Sequence, residues 1–310
     1  MIKKLKLKDK TGLLWPVVLP LFFLFSLFFS DEISLLTKSS LTFCFSNIIG
    51  TVFPFMILTD FLFSLLQSDG TSFLERGFSR VFKINGTGLS AFLAGILSGF
   101  PLGVKLSSEL YINGKINREE CERLISFSNN TGPAFTIFAL GVGIRKSLSD
   151  GAILYFSMLI SAIITGVLLG ISKKATNGAL RIKNSGYSLI SSIKSAGQNT
   201  LYICSFITFF GVLLGILELF LPRAVFLSLV PFLELASALR IINELITLKS
   251  ASLVLSSFAL SFSGISVLLQ AKSFLPPEIS IKKYTLTKLL QGCISAVLTC
   301  IFYKLISLRL

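Results

Sequence analysis

The fold is decided by one run of sequence, Gly151 to Ile171, which reads GAILYFSMLISAIITGVLLGI and contains no charged residue. A helix needs about 20 apolar residues to cross the hydrocarbon core of a bilayer. Similar apolar runs occur at Leu13 to Phe29 and at Leu201 to Leu221. Because backbone groups find no water in that core, such runs must be helical, and the sequence predicts an all-α integral membrane protein.

The composition of the chain supports the same class and argues against several others. Of 310 residues, 53% are hydrophobic and only 14% are charged. The net charge of +14 is spread over short segments between apolar runs, which favours positive-inside orientation over nucleic-acid binding. Since the chain has no histidine and its five cysteines form no CxxC pair, we predict neither enzymatic activity nor a metal or other cofactor.

Charge and hydropathy together define a topology. The apolar segments predict about six transmembrane helices, at 13–30, 41–67, 129–146, 149–171, 199–219 and 285–306. The segment 172–196 has basic residues and no acidic ones, so we expect it to be cytoplasmic, like the lysine-rich N-terminus. The N-terminus and 172–196 can both be cytoplasmic only if one further apolar stretch enters the membrane and leaves it on the same side. We predict that 86–111, which has Pro101 between glycines, is a re-entrant hairpin, preceded by an interfacial helix at 73–82.

The second half of the chain resembles an inverted copy of the first. Phe73-Leu74-Glu75 is echoed by Phe232-Leu233-Glu234, and Ser98-Gly99 by Ser263-Gly264, at separations of 159 and 165 residues (234 − 75 and 264 − 99). Continuing the topology places 222–245 at the outer interface and makes 250–274 a second hairpin. Secondary transporters built from inverted repeats bind solute where their broken helices meet.

This organisation divides the chain into four parts. They are an N-terminal transmembrane helix (1–40), a first repeat with hairpin 86–111 (41–171), a cytoplasmic basic linker (172–196), and a second inverted repeat with hairpin 250–274 (197–310).

Candidate site residues lie at the two hairpin tips and at a Gly-Pro break. Lys105, close to the first tip, either faces a cavity or extends to the cytoplasmic interface. The break at Asn129 to Pro133 offers amides and a helix N-terminus that suit an anion, and ordinary helix capping at the membrane edge is the alternative. Glu234, flanked by apolar residues, either carries a coupling proton or cation or faces water. The predicted substrate-binding residues are Ser98, Gly99, Pro101, Gly103, Lys105, Asn129, Asn130, Thr131, Gly132, Pro133, Ser263, Gly264, Ser266 and Gln270.

These motifs resemble a known family, the sporulation integral membrane proteins of the YlbJ type, which carry the nucleoside-recognition or Gate domain. The likeness rests on the segments 98–105, 129–135 with Gly141-Val142-Gly143, 231–234 and 263–274. The resemblance implies a fold similar to the core of the concentrative nucleoside transporters. It also implies a role in passing dipicolinic acid across the mother-cell-derived membrane around the forespore. Asn85 stands where the family usually has proline, and Leu268 where histidine is often found.

The leading functional hypothesis is therefore a multi-pass membrane transporter or facilitator of a small carboxylate solute. A nucleoside-type transporter and a non-transporting scaffold on the same fold remain alternatives. The expected partners are the lipid bilayer and the solute, without nucleic acid, and a homo-oligomer is compatible with the sequence.

Overall fold

The computed structural model is helical throughout the part of the chain that it describes, which comprises residues 27–65, 72–174 and 189–308 together with Pro20 and Leu24. No strand occurs among these residues. The α-helices are α1 Ser30–Phe43, α2 Gly50–Leu65, α3 Phe73–Phe82, α4 Gly88–Leu97, α5 Leu102–Ile112, α6 Arg118–Ser128, α7 Leu148–Gly170, α8 Leu189–Phe220, α9 Arg223–Leu233, α10 Leu235–Leu245, α11 Lys249–Phe262, α12 Gly264–Phe274 and α13 Ile281–Ser307. Two further segments have π-helical geometry, π1 Cys44–Ile49 and π2 Ala134–Ile144.

Several of these helices have the length and polarity of membrane spans. Five stretches of the described chain are apolar and long enough to cross a bilayer: Ser30–Leu58, Leu148–Gly170, Leu189–Phe220, Lys249–Phe274 and Ile281–Ile306. In α13, Leu286 and Val297 are 69% and 61% exposed, whereas the polar Lys288 and Thr299 are fully buried. This is the reverse of a water-soluble helix and suits one whose outer face contacts lipid. The prediction of an all-α membrane protein is confirmed.

The helix boundaries differ from the predicted ones in three places. α1, π1 and α2 run without interruption from Ser30 to Leu65, so the helix expected to begin at 41 begins eleven residues earlier (41 − 30). Asp31 and Glu32 in its first turn favour this start, because acidic side chains stabilise a helix N-terminus. α8 likewise begins before 199. π2 is shorter than the crossing predicted at 129–146, because residues 129–132 are not helical.

Two predicted segments, one before and one after the first repeat, fall mainly on residues that the structure does not describe. These are the first transmembrane helix at 13–30 and most of the basic linker at 172–196. The helix predicted at 73–82 is confirmed as α3, which begins with a capping box between Ser72 and Glu75.

The stretch predicted as the first hairpin consists of two short helices that pack against each other. α4 and α5 are joined by Ser98 to Pro101, and both lie against the end of α6. Gly95 and Gly103 make this possible, since a Cβ atom at either position would overlap the carbonyl group of Ser128. The break predicted within 86–111 is therefore present, while its re-entrant path through the membrane stays a prediction.

The stretch predicted as the second hairpin is also broken, and its two arms have different main neighbours. Ser263 and Gly264 separate α11 from α12 and have positive φ values of 73° and 75°. α11 packs along α13, whereas α12 contacts α5, α8 and α9. The break brings the start of α12 next to the break between α9 and α10, at Glu234. The re-entrant path of 250–274 and the inverted repeat stay predictions.

Candidate functional site

A cavity lies where the broken helices of both halves of the chain meet. Its volume of about 40 Å³ is enough for a few water molecules. Six of the predicted site residues line it: Ser98, Gly99, Thr131, Gly132, Glu234 and Gln270. The structure therefore joins, in one place, residues that lie up to 172 positions apart in the sequence (270 − 98).

Two glycines allow the first half of the cavity to form. Gly99 has a φ of 87°, which only glycine adopts without strain, and its Cβ position is 2.7 Å from the amide nitrogen of Gly132. A Cβ atom on Gly132 would in turn lie 2.9 Å from the carbonyl oxygen of Leu97. The backbone between α4 and α5 thus touches the backbone before π2, with no room for a side chain between them.

Glu234 contributes the carboxylate of the second half. It ends α9, begins α10 and is 2% exposed. Its two carboxylate oxygens accept hydrogen bonds from the backbone amides of Ala236, at 2.9 Å, and Ser237, at 2.6 Å. The geometry identifies Glu234 as the N-cap of α10, where the helix dipole stabilises its negative charge.

Gln270 and Thr131 supply the uncharged polar side chains. Thr131 donates to the sulfur of Met158 at 2.9 Å and accepts from the hydroxyl of Thr136 at 2.8 Å. Gln270 is 2% exposed, and its Oε1 atom has no hydrogen-bond partner. A buried amide oxygen without a partner is costly, so Gln270 is the lining group most suited to bind a ligand or water.

The remaining wall of the cavity is apolar and was not predicted. Its residues come from six helical segments and from the loop after α4: Ile48, Val52, Phe100, Phe135, Ile203, Ile207, Leu235, Ala236 and Val267. Apolar side chains of this kind occur throughout a membrane protein. Nothing in their local sequence distinguishes those that face a cavity from those that face lipid.

The other predicted site residues do not line this cavity. Lys105 is half-buried on α5, and Gly103 packs against Ser128. Pro101 and Pro133 begin α5 and π2, and Ser263 and Gly264 form the break before α12. Ser266 is buried in α12, and its hydroxyl has no partner. Asn129 and Asn130 are buried just behind the cavity wall.

The partner of these two asparagines is a residue that the sequence analysis missed. Lys288 of α13 is fully buried, and its Nζ atom donates to the carbonyl oxygen of Asn129 at 2.9 Å and to Oδ1 of Asn130 at 3.2 Å. A signal for it exists in the sequence, because Lys288, Gln291, Ser295 and Thr299 are spaced three to four residues apart within an apolar run. That spacing puts them on one face of a helix.

The fold and the cavity define the class of this protein, a polytopic α-helical membrane protein with a buried polar site between broken helices. An alignment over 313 residues shows 25% identity to the sporulation integral membrane protein YlbJ of Bacillus subtilis (strain 168) and covers 86% of this chain and 77% of that protein. The similarity supports the assignment of this chain to a YlbJ-type family. No family model matches the chain, and no solved structure is significantly similar to it.

Proposed function

We propose that this protein is a transporter or facilitator of a small carboxylate-bearing solute, and that the cavity between the broken helices is its binding site. The observation that carries the proposal is the convergence of Ser98, Thr131, Glu234 and Gln270 from both halves of the chain on one buried cavity. Solute sites of secondary transporters lie at such meeting points of broken helices. The relative's name places that protein in sporulation, and we extend this role to the present chain.

The electrostatics of the cavity favour a carboxylate. Phe135 lies in the first turn of π2, Leu235 and Ala236 in the first turn of α10, and Val267 in that of α12. Each helix N-terminus contributes roughly half a positive charge. The full negative charge of Glu234 offsets about two of these ends, which leaves about one for a ligand. The side-chain NH2 group of Gln270 can donate to a carboxylate in addition.

The apolar wall favours a solute with a flat ring. Phe100 and Phe135 face the cavity together with the aliphatic residues of π1, α2 and α8. Aromatic side chains bind planar rings by stacking or edge contacts. Dipicolinic acid, a pyridine ring with two carboxylates, combines both features and is the first candidate, in agreement with the family resemblance.

The test is solute flux through the purified protein in liposomes. We expect dipicolinate to cross protein-containing vesicles faster than protein-free ones, and faster than uridine or succinate. Gln270→Leu should raise the dipicolinate concentration for half-maximal flux about tenfold or more, because a buried hydrogen bond to a charged group is lost. Gln198→Leu, the same change on an exposed face of α8, should leave the flux unchanged.

The alternatives predict different outcomes. Flux of uridine without dipicolinate would identify a nucleoside-type transporter. Absence of flux for all three solutes, with the protein folded in the vesicles, would favour a scaffold built on this fold. Equal sensitivity of the two glutamine variants would remove the cavity from the transport pathway.

A further inference from the structure

Lys288 is placed where a membrane protein rarely keeps a charge. It lies seven residues after Ile281, the first residue of α13, so its Cα atom is roughly 10 Å along the helix. Its side chain is fully buried and therefore does not extend to the membrane surface. Ionisable residues at such depth are costly and usually functional.

The contacts of Lys288 hold a proton but offer no counter-charge. Its Nζ atom has three acceptors: the carbonyl oxygen of Asn129, Oδ1 of Asn130 and, at 2.8 Å, Oε1 of Gln291. Three acceptors can take the three N–H bonds of a protonated amine, whereas the neutral amine has two N–H bonds and a lone pair and leaves one acceptor without a donor. Among the ion pairs between described residues, none involves Lys288. A charge that is hydrogen-bonded but not paired remains expensive to keep, so an anion nearby would stabilise it.

The same contacts connect Lys288 to the cavity. Asn129 and Asn130 directly precede Thr131 and Gly132, which line the cavity wall. Asn130 also accepts from Nε2 of Gln291 at 2.8 Å and donates to the carbonyl oxygen of Phe127 at 2.7 Å. Because the wall and the lysine share one short non-helical segment, a change in the occupancy of the cavity would alter the acceptors around Nζ.

A polar stripe leads from Lys288 towards the other end of the bundle. The hydroxyl of Ser257 on α11 bonds Ser295, at 2.6 Å, and Thr299, at 2.7 Å, on α13. Ser252, earlier on α11, accepts from Arg145, which forms an ion pair with Asp150. The stripe thus ends in a charged cluster at the start of α7.

Two hydroxyl groups in this stripe have no protein partner. The Oγ atoms of Ser256 and Ser261 are buried on α11. Ser256 directly precedes Ser257, and Ser261 lies one helical turn after Ser257. Because Phe258 contacts Gly292 while Ser257 contacts Thr299, the two helices are antiparallel, and Ser261 lies on the Lys288 side. Buried hydroxyls of this kind usually bond ordered water. Water at Ser256 and Ser261 would make the stripe continuous.

We propose that Lys288 binds the proton that accompanies an anion into the cavity, and that the stripe between α11 and α13 carries this proton from the end of the bundle that bears Arg145 and Asp150. A hydronium ion of the solution gives up the proton and becomes water, and the proton adds to the lone pair of the Nζ atom. When the anion leaves, the proton returns to water. The inference rests on the proposed function, since it requires an anionic solute.

The other titratable and charged groups on the helices packed against α13 have partners or positions of their own. On α13 itself, Tyr284 accepts from Asn129, and Lys283 pairs with Glu122 of α6. On α6, Arg123 donates to the carbonyl groups of Phe82 and Lys83, and Cys121 donates to the carbonyl group of Ser107. Glu119 forms an ion pair with Lys173, and Arg118 forms one with Glu122. Glu120 accepts from the amide of Asn85. On α7, Tyr155 donates to the carbonyl oxygen of Ile96, and Asp150 forms ion pairs with Arg145 and with Lys249 of α11. Lys272 of α12 is exposed.

The decisive measurement is proton uptake on addition of dipicolinate to the purified protein in weakly buffered detergent, followed with a pH-sensitive dye. We expect the parent protein to take up about one proton per molecule. Lys288→Met cannot bind this proton, and Lys288→Arg already holds one, so neither variant should take it up. Lys282→Met, an exposed lysine on the same helix, should behave like the parent. The arginine variant keeps the test valid if the methionine variant fails to fold.

A second measurement separates this inference from the proposed function. In liposomes with a pH gradient, the parent should accumulate dipicolinate, whereas Lys288→Arg should only exchange it between the two sides. The role of Lys288 would be overturned if dipicolinate flux through the parent did not depend on the pH gradient. It would also be overturned if both Lys288 variants still took up a proton. Either result would leave the proposed function intact. Absence of any dipicolinate binding by the parent would overturn both.

Discussion

At the scale of single residues, glycines decide how closely the backbone segments around the cavity approach one another. Gly95, Gly99 and Gly103 recur every four residues, and each faces the segment between Ser128 and Gly132. In the sequence alone, glycines around Pro101 indicate a weakened helix. In the structure these glycines form a contact surface, because a side chain at any of the three positions would displace the neighbouring backbone.

We predict that Gly99→Ala destabilises the protein and reduces dipicolinate flux. The left-handed conformation of Gly99 costs an alanine about 1–2 kcal/mol, and the added Cβ would meet the amide of Gly132 at 2.7 Å. Thermal unfolding in detergent should show a lower melting temperature. Gly77→Ala on α3 is the matched control, since nothing lies within 4 Å of its Cβ position. An equal effect of the two substitutions would contradict this account of Gly99.

At the scale of elements, one carboxylate ties α6 to the beginning of α13. Glu122 accepts hydrogen bonds from Lys283 Nζ at 2.7 Å, from the Ser280 amide at 3.2 Å and from Arg118 Nε at 3.1 Å. Burial alone would raise the pKa of Glu122, but these bonds outweigh it and lower the pKa below its ordinary value of 4.5. α6 carries the cavity segment and α13 carries Lys288, so this contact fixes two parts of the site.

The contact predicts a pH-dependent stability. A carboxylate with a lowered pKa stabilises the fold fully above the unfolded-state pKa, and this contribution is lost as the pH falls through the lower, folded-state pKa. Glu122→Gln should therefore cost roughly 1–3 kcal/mol at neutral pH, and the difference from the parent should shrink as the pH falls below 4.5.

Glu119→Gln is the control on the same helix. Its carboxylate pairs with Lys173 at 2.6 Å but is 52% exposed, so the change should cost less than about 1 kcal/mol. Denaturant titrations in detergent at several pH values measure both variants. A Glu122→Gln effect that is constant from pH 7 to well below 4.5 would show that the charge of Glu122 is not what ties the two helices.

At the scale of the whole molecule, α7 relates the two ends of the bundle. Its 23 residues span about 35 Å, enough for a hydrocarbon core of about 30 Å. The ion pair between Lys173 and Glu119 places the end of α7 beside the start of α6. The start of α6 and the first residues of the basic linker therefore lie at one end of the bundle, and Ser149 lies at the other.

We predict that cysteines introduced at Glu119 and Ser149, in a chain whose five native cysteines are replaced, react with a membrane-impermeant reagent from opposite sides. Both positions are exposed. Position 119 should react only from the cytoplasmic side, in keeping with the positive-inside rule. Labelling of both positions from the same side would contradict a single crossing by α7, and labelling of position 119 from outside would reverse the predicted orientation.

The sequence by itself determined the membrane class, most helices and the places where helices break. Asn117 caps α6, with Glu120 completing the capping box, a pattern that four consecutive residues of the sequence contain in full. The breaks near Gly99, Gly132 and Gly264 were also predicted. These features depend on hydropathy and on helix-breaking residues, which act over a few neighbouring positions and can therefore be read locally.

Only the tertiary structure decided which breaks meet and which charge is buried among them. Lys105 and Lys288 both lie in apolar sequence, yet the first is half-buried and the second fully buried. The difference arises because the acceptors of Lys288 on Asn129 and Asn130 come from a segment 158–159 residues away. Contacts of that range depend on how helices pack, which hydropathy along a single chain does not specify.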